Sequence, residues 1–221
     1  MVDDTAYPGK DISETSVRSA FSSSLAEGIA GLGAVALAII GLAHIFPEIL
    51  VSVATVAIGV ALAFEGGAIS ARYSAMISEP GEKSDVTTQW GGVTALFVGG
   101  AAGIALGILS LVGVAPMVLI PVAALVFGSA LVLDSGANER LSLMEARHKE
   151  GFKVSEHVIR ETTHAASGIQ VLVGLGSIAL GILALIGLVP MVLSLVAMLS
   201  IGAANLLTGS MIGARLSRVF H

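Results

Sequence analysis

A chain of 221 residues that is 55% hydrophobic and 12% charged does not have the composition of a soluble globular domain. Its net charge of −5, with no basic stripe interleaved with aromatics, argues against nucleic acid as a partner. The absence of cysteine excludes disulfides, thiolate metal sites and cysteine nucleophiles.

Residues 1–24 are polar and serine-rich and read as a cytoplasmic N-terminal segment. Tyr7-Pro8-Gly9 marks a turn, and Asp11 to Glu14 is placed to start a short helix. Val17, Ala20 and Phe21 give that helix a modest apolar stripe for the membrane interface. No basic n-region or cleavage box precedes the first apolar run, so no removed signal peptide is expected. The first helix would then serve as its own insertion signal.

Apolar runs follow in pairs, each pair meeting at a proline: 25–46 and 48–71, 91–114 and 117–136, 166–188 and 191–213. Each run holds about 20 residues, enough to cross a hydrocarbon core of roughly 30 Å as helix. The pairs are copies of one pattern. Gly107-Ile-Leu-Ser-Leu-Val-Gly113-Val-Ala-Pro116-Met-Val-Leu returns 74 residues later at Gly181 to Leu193, and Ala38 to Pro47 is a worn third copy.

Aligning the copies on Pro47, Pro116 and Pro190 places Gly31, Gly100 and Gly174 sixteen residues before the proline. Gly59, Gly128 and Gly202 stand twelve residues after it, and Glu65, Asp134 and Thr208 eighteen after it. The expected fold is therefore an all-α integral membrane protein with six transmembrane helices. They form three repeated helical hairpins in a pseudo-threefold arrangement. The segments are 1–24, hairpin 25–73, linker 74–89, hairpin 90–136, amphipathic linker 137–165, and hairpin 166–221 with the C-terminus.

All eleven lysines and arginines lie in the tails and linkers, and none in the proline turns. By the positive-inside rule both termini and both linkers are cytoplasmic, in an inner or intracytoplasmic membrane. Trp90, the only tryptophan, precedes the third run where an aromatic anchor belongs. Asn138 to Arg147 extends the fourth helix with mixed charges, and the 137–165 linker, the largest polar surface, reads first as a solvated connector and otherwise as the place where a protein partner would dock.

The glycines read as packing residues: Gly31, Gly59, Gly100, Gly103, Gly107, Gly128, Gly174, Gly181 and Gly202. Small residues let helix backbones approach where packing, not the hydrophobic effect, drives association. No strand precedes them, so they do not form a phosphate loop.

Ionisable groups inside apolar runs are candidate functional groups by default. Eighteen residues from their prolines, Glu65 and Asp134 sit roughly 27 Å along the helix axis, near the cytoplasmic boundary where a carboxylate reaches water. Glu27, twenty residues before Pro47, falls at the same level. The midplane offers only Ala38, Val56, Gly107, Leu125, Gly181 and Leu199. His44 and Glu48 flank Pro47 as a candidate pH-responsive pair. Gln170, Asn205 and Thr208 read as interhelical hydrogen-bonding groups. His148, His157, His164 and His221 have no regular ligand spacing, and no nucleophile elbow or dinucleotide fingerprint is present.

Gly107, Pro116, Gly128 and Asp134, then Gly181, Pro190, Gly202 and Gly209, and more faintly Pro47, Gly59, Glu65 and Gly66, carry a resemblance to the HdeD family of acid-resistance membrane proteins. The resemblance covers nearly all the membrane portion. It implies six helices built from repeated short hairpins, in an inner-membrane protein linked to acid or general stress. It supplies no catalytic residues. The chain departs from it at Thr208, where the acidic step is lost, and in the long second linker. The expectation is a non-enzymatic, structural or protective protein without cofactor, embedded in lipid and self-associating. The rival is a channel or transporter for protons or a small neutral solute.

Overall fold

The computed structural model describes residues 28–77, 86–148 and 156–217, with side chains described over 28–67, 94–135 and 168–208. Glu27, the 1–24 segment and residues 149–155 lie outside it. The described residues form six α-helices and no strand: α1 Gly28–Leu42, α2 Pro47–Ile77, α3 Val86–Leu111, α4 Pro116–His148, α5 Glu156–Leu185 and α6 Pro190–Ser217. Five of them, α2 to α6, are long and apolar enough to cross a membrane. The sixth, α1, has fifteen described residues and falls short of that length on its own.

The helices overrun the apolar segments. α2 reaches Ile77 and α3 starts at Val86, so helix enters the expected 74–89 linker from both sides. α4 continues to His148, carrying the mixed-charge stretch as helix, and α5 starts at Glu156.

Pro47, Pro116 and Pro190 are each the first residue of a helix rather than the middle of a turn. A first-turn N–H has no intrahelical acceptor, so proline loses nothing there and its fixed φ is already helical. The four residues before each proline make one turn, built the same way three times. The N–H of Val114 donates to the Leu109 carbonyl at 3.0 Å, and that of Gly113 to Ser110 at 2.9 Å. Ile45 to Ile40 (3.4 Å) with His44 to Gly41 (3.0 Å), and Leu188 to Leu183 (3.2 Å) with Gly187 to Ala184 (3.1 Å), repeat the pattern. These nested bonds satisfy the orphan carbonyls at a helix C-terminus and require a left-handed residue just past it. Gly113 (φ 91°) and Gly187 (φ 94°) supply it freely. In the first turn the position is His44, at φ 64°, which a β-carbon disfavours.

Helices α2, α4 and α6 pack against one another in the interior; α3 lies across α2 and α4, and α5 across α4 and α6. Each interior helix buries the positions four, seven, eight and eleven after its proline. These are Val51, Ala54, Thr55 and Ile58, then Ile120, Ala123, Ala124 and Phe127, then Ser194, Ala197, Met198 and Ile201. That spacing is one helical stripe. Alanines at the seventh position let the three helices close up, and the larger residues fill the layers above and below.

The outer contacts are backbone to backbone. A β-carbon on Gly59 would lie 2.8 Å from the Gly100 carbonyl oxygen, and one on Gly100 only 2.6 Å from that of Gly59. Gly128 and Gly174 stand in the same relation across α4 and α5, at 2.5 and 2.8 Å. Gly31 and Gly202 repeat it across α1 and α6, at 2.8 and 3.1 Å. The two glycine columns read from the sequence therefore face each other. They meet across helices that the proline turns do not connect.

Two turns further along, Gly107 approaches Val56 and the Ser52 carbonyl, and Gly181 approaches the Pro121 carbonyl and Leu125. Gly103 lies beneath the ring of Phe127, which occupies the space a side chain would need.

Candidate functional site

The polar groups held within this apolar frame are few, and they fall into two zones. Near the proline turns, the Ser52 hydroxyl on α2 lies 2.8 Å from the Ser110 hydroxyl on α3 and donates to the Glu48 carbonyl at 2.7 Å. Ser52's single proton is then committed to Glu48, so Ser110 is the donor of the pair. Thr55, one turn deeper, donates to the Val51 carbonyl at 2.7 Å, with the Met198 sulfur of α6 at 3.8 Å. Each hydroxyl is returned to its own backbone or to a neighbour. That is how a helix keeps a polar group in lipid at low cost.

The second zone lies at the opposite ends of the helices. Asp134 on α4 is 1% exposed, and Gln170 on α5 is 9% exposed. The Gln170 Nε2 donates to Asp134 Oδ2 at 3.4 Å. Register brings them together: Gly128 and Gly174 fix how α4 slides on α5, and the polar pair then sits at the same end of that contact. Ser135, also buried, donates to the Val132 carbonyl at 2.7 Å. Burial of Asp134 differs from the sequence expectation, because depth along a helix fixes distance from the turn but not which side faces a neighbour.

The other candidates are placed as follows. Glu65 is half-buried on α2 at the same distance from its proline. Thr208 donates to the Ala204 carbonyl of its own helix at 3.0 Å, so its hydroxyl bonds along α6 rather than between helices. Asn205 is 2% exposed, and its Nδ2 has no hydrogen-bond partner among the described residues. His44 and Glu48 are both exposed at the first turn. Glu27, expected at the level of Glu65 and Asp134, lies outside the described residues.

The Ser52–Ser110 pair was not singled out from the sequence. Isolated serines in apolar helices carry no periodic signal, and the two are 58 residues apart. Asp134 and Gln170 were singled out separately, but nothing in their spacing shows that they pair. Among the described residues no three histidine, aspartate or glutamate side chains gather into a metal-binding group.

In chemical terms the arrangement buries one carboxylate against an amide at one end of the α4–α5 contact. Between it and the proline turns lies a packed stripe of alanine, isoleucine, phenylalanine and methionine. No family model, curated protein or solved structure matches the chain.

Proposed function

We propose that this is a non-enzymatic, six-span membrane protein whose role is structural or protective. In this reading three hairpins, α1–α2, α3–α4 and α5–α6, are copies of one unit around a pseudo-threefold axis. The observation that carries it is the set of three glycine pairs, each joining the second helix of one hairpin to the first helix of the next. Gly31 against Gly202 joins the last hairpin back to the first. Three matching turns and three matching buried stripes support the same reading. The first span stays at residues 25–46, of which 25–27 lie outside the described residues.

The interior argues for a scaffold rather than a conduit. A proton path needs ordered water, and each water needs two to four polar partners. The buried stripes offer Thr55 and Ser194 among apolar neighbours. We place both termini and both linkers in the cytoplasm, from the lysine and arginine distribution. We place the protein in an inner or intracytoplasmic membrane, self-associating, and linked to acid or general stress as the HdeD resemblance implies. The rival reading, a channel or transporter for protons or a small neutral solute, draws on the burial of Asp134.

Flux measurements on the purified protein in liposomes separate the two. The scaffold reading expects no proton flux above that of protein-free vesicles, and no change in the Glu65→Gln, Asp134→Asn double variant. A clear flux in the parent that the double variant loses would replace the scaffold with the transporter. Native mass spectrometry in mild detergent tests self-association; a monodisperse monomer would remove it.

A further inference from the structure

The two proline turns that carry no polar side chain expose large apolar residues. Val112 is 76% exposed and Ile186 70%, with Val114, Leu188 and Val189 also open. Side chains of this kind on a loop in water call for an explanation. They are not isolated spots. The exposed apolar surface runs without a polar break from Ile108, Leu109 and Leu111 over the turn to Met117 and Val118. A matching band runs over the other turn from Ile182, Leu183 and Leu185 to Val192.

The backbone of these turns is compatible with the same surroundings. Irregular backbone survives at membrane depth only where its polar groups find partners within the protein. In each turn the first three of four N–H groups donate to carbonyls of the preceding helix, and the next residue is a proline with no N–H at all. The first turn closes with the same bonds and the same proline, so the backbone admits immersion at all three turns and the side chains distinguish them. The first turn also exposes Ile45 and Phe46, and differs in adding two exposed polar side chains, His44 in the turn and Glu48 just beyond it.

We infer that the Val112–Ala115 and Ile186–Val189 turns are immersed in lipid at the boundary between headgroups and acyl chains, while the His44–Glu48 corner stands in water. The occupant is the bilayer because the tips continue the lipid-facing flanks of the helices. A contact with a second copy would ordinarily carry a polar rim around its apolar centre, and these two tips have none. This inference rests on the membrane-spanning reading proposed above.

The absence of cysteine makes the test direct. Single variants Val114→Cys, Leu188→Cys, Glu48→Cys and Leu175→Cys carry a nitroxide label in vesicles of phosphatidylcholine and phosphatidylglycerol. Collision with oxygen, which concentrates in lipid, is compared with collision with a water-soluble nickel chelate. All four positions are exposed on the protein, so the label does not disturb packing. The inference expects a several-fold higher oxygen-to-nickel ratio at 114 and 188 than at 48. Strong nickel collision at 114 and 188 would overturn it, placing the tips in water. Weak collision with both reagents would also overturn it, placing the tips against protein. Leu175 lies on the flank of α5; nickel access there would mean that the spanning reading itself had failed. Oxygen access at 175 with nickel access at 114 and 188 would sink only the immersion of the turns.

Discussion

The contact between α4 and α5 and the contact between α6 and α1 are built on the same pair of glycines and finished differently. At the first, β-carbons on Gly128 and Gly174 would lie 2.5 and 2.8 Å from the opposing carbonyl oxygen. Beyond the glycines, Leu131 is fully buried and Asp134 accepts from Gln170. At the second, the opposing distance from Gly202 opens to 3.1 Å. The position equivalent to Leu131 is Asn205, whose Nδ2 is buried without a partner among the described residues. Backbone proximity is thus common to both, while the side chains at the end vary. The glycines set the helix spacing, and the polar residues adorn contacts that already exist.

The largest effect should follow from breaking the tighter contact. Gly128→Leu drives a side chain into the Gly174 carbonyl and Ile178, where no flexible side-chain end can yield to it. Overpacking costs about 1–3 kcal/mol in ordinary cores and more where backbone must move. We expect loss of monodisperse protein on size exclusion, and a wild-type elution and melting profile would refute the account of the contact.

Gly128→Ala against Gly202→Ala sharpens the comparison. A β-carbon on Gly202 would meet its nearest atoms at 3.0 to 3.2 Å, so small adjustments accommodate it. Thermal unfolding in detergent should show Gly128→Ala the more destabilised, by at least about 1 kcal/mol. Equal losses would mean that the two contacts are energetically alike. Gly176, with open space around it on α5, is the control; alanine there should stabilise by about 0.5–1 kcal/mol through helix propensity alone.

Asn205→Leu asks whether the looser contact is limited by its polar residue. Removing a buried donor without a partner should stabilise by about 1–2 kcal/mol, within the range for unsatisfied groups. The reciprocal Leu131→Asn should destabilise by a similar amount. A drop in melting temperature for Asn205→Leu would show that the amide has a partner beyond the described residues.

A modest effect is expected at the turns. His44→Gly relieves a left-handed histidine and should stabilise by about 1 kcal/mol. The same change cannot be made in the other two turns, which already hold Gly113 and Gly187. No gain at His44 would mean that its side chain holds the turn by a contact worth as much as the strain.

Much of the fold was legible before any coordinates. The prolines, the two glycine columns and the apolar runs specify helix, turn and close packing, because each rests on local chemistry. Proline needs a place where its missing N–H is harmless, and lipid admits only backbone whose polar groups are satisfied. The residue three before each proline held a further signal, since glycine at 113 and 187 announces a left-handed helix cap. The candidate site was legible only as separate residues. Asp134 and Gln170 stood out as polar groups in apolar helices, and Ser52 and Ser110 did not stand out at all.

What the sequence determined by itself, then, was which residues must lie against a neighbour: a column of glycines can only be there to let something close in. Which neighbour was decided by the tertiary structure. Gly128 meets Gly174 on α5, the next helix in the chain, not a residue of α3, to which its helix is joined by a turn. The physical reason is that small-residue grooves are interchangeable in sequence, and only the order of helices around the interior selects among them. The same order turned Asp134 inward against Gln170, left Thr208 bonded to its own helix, and left the Asn205 amide nitrogen without a described partner.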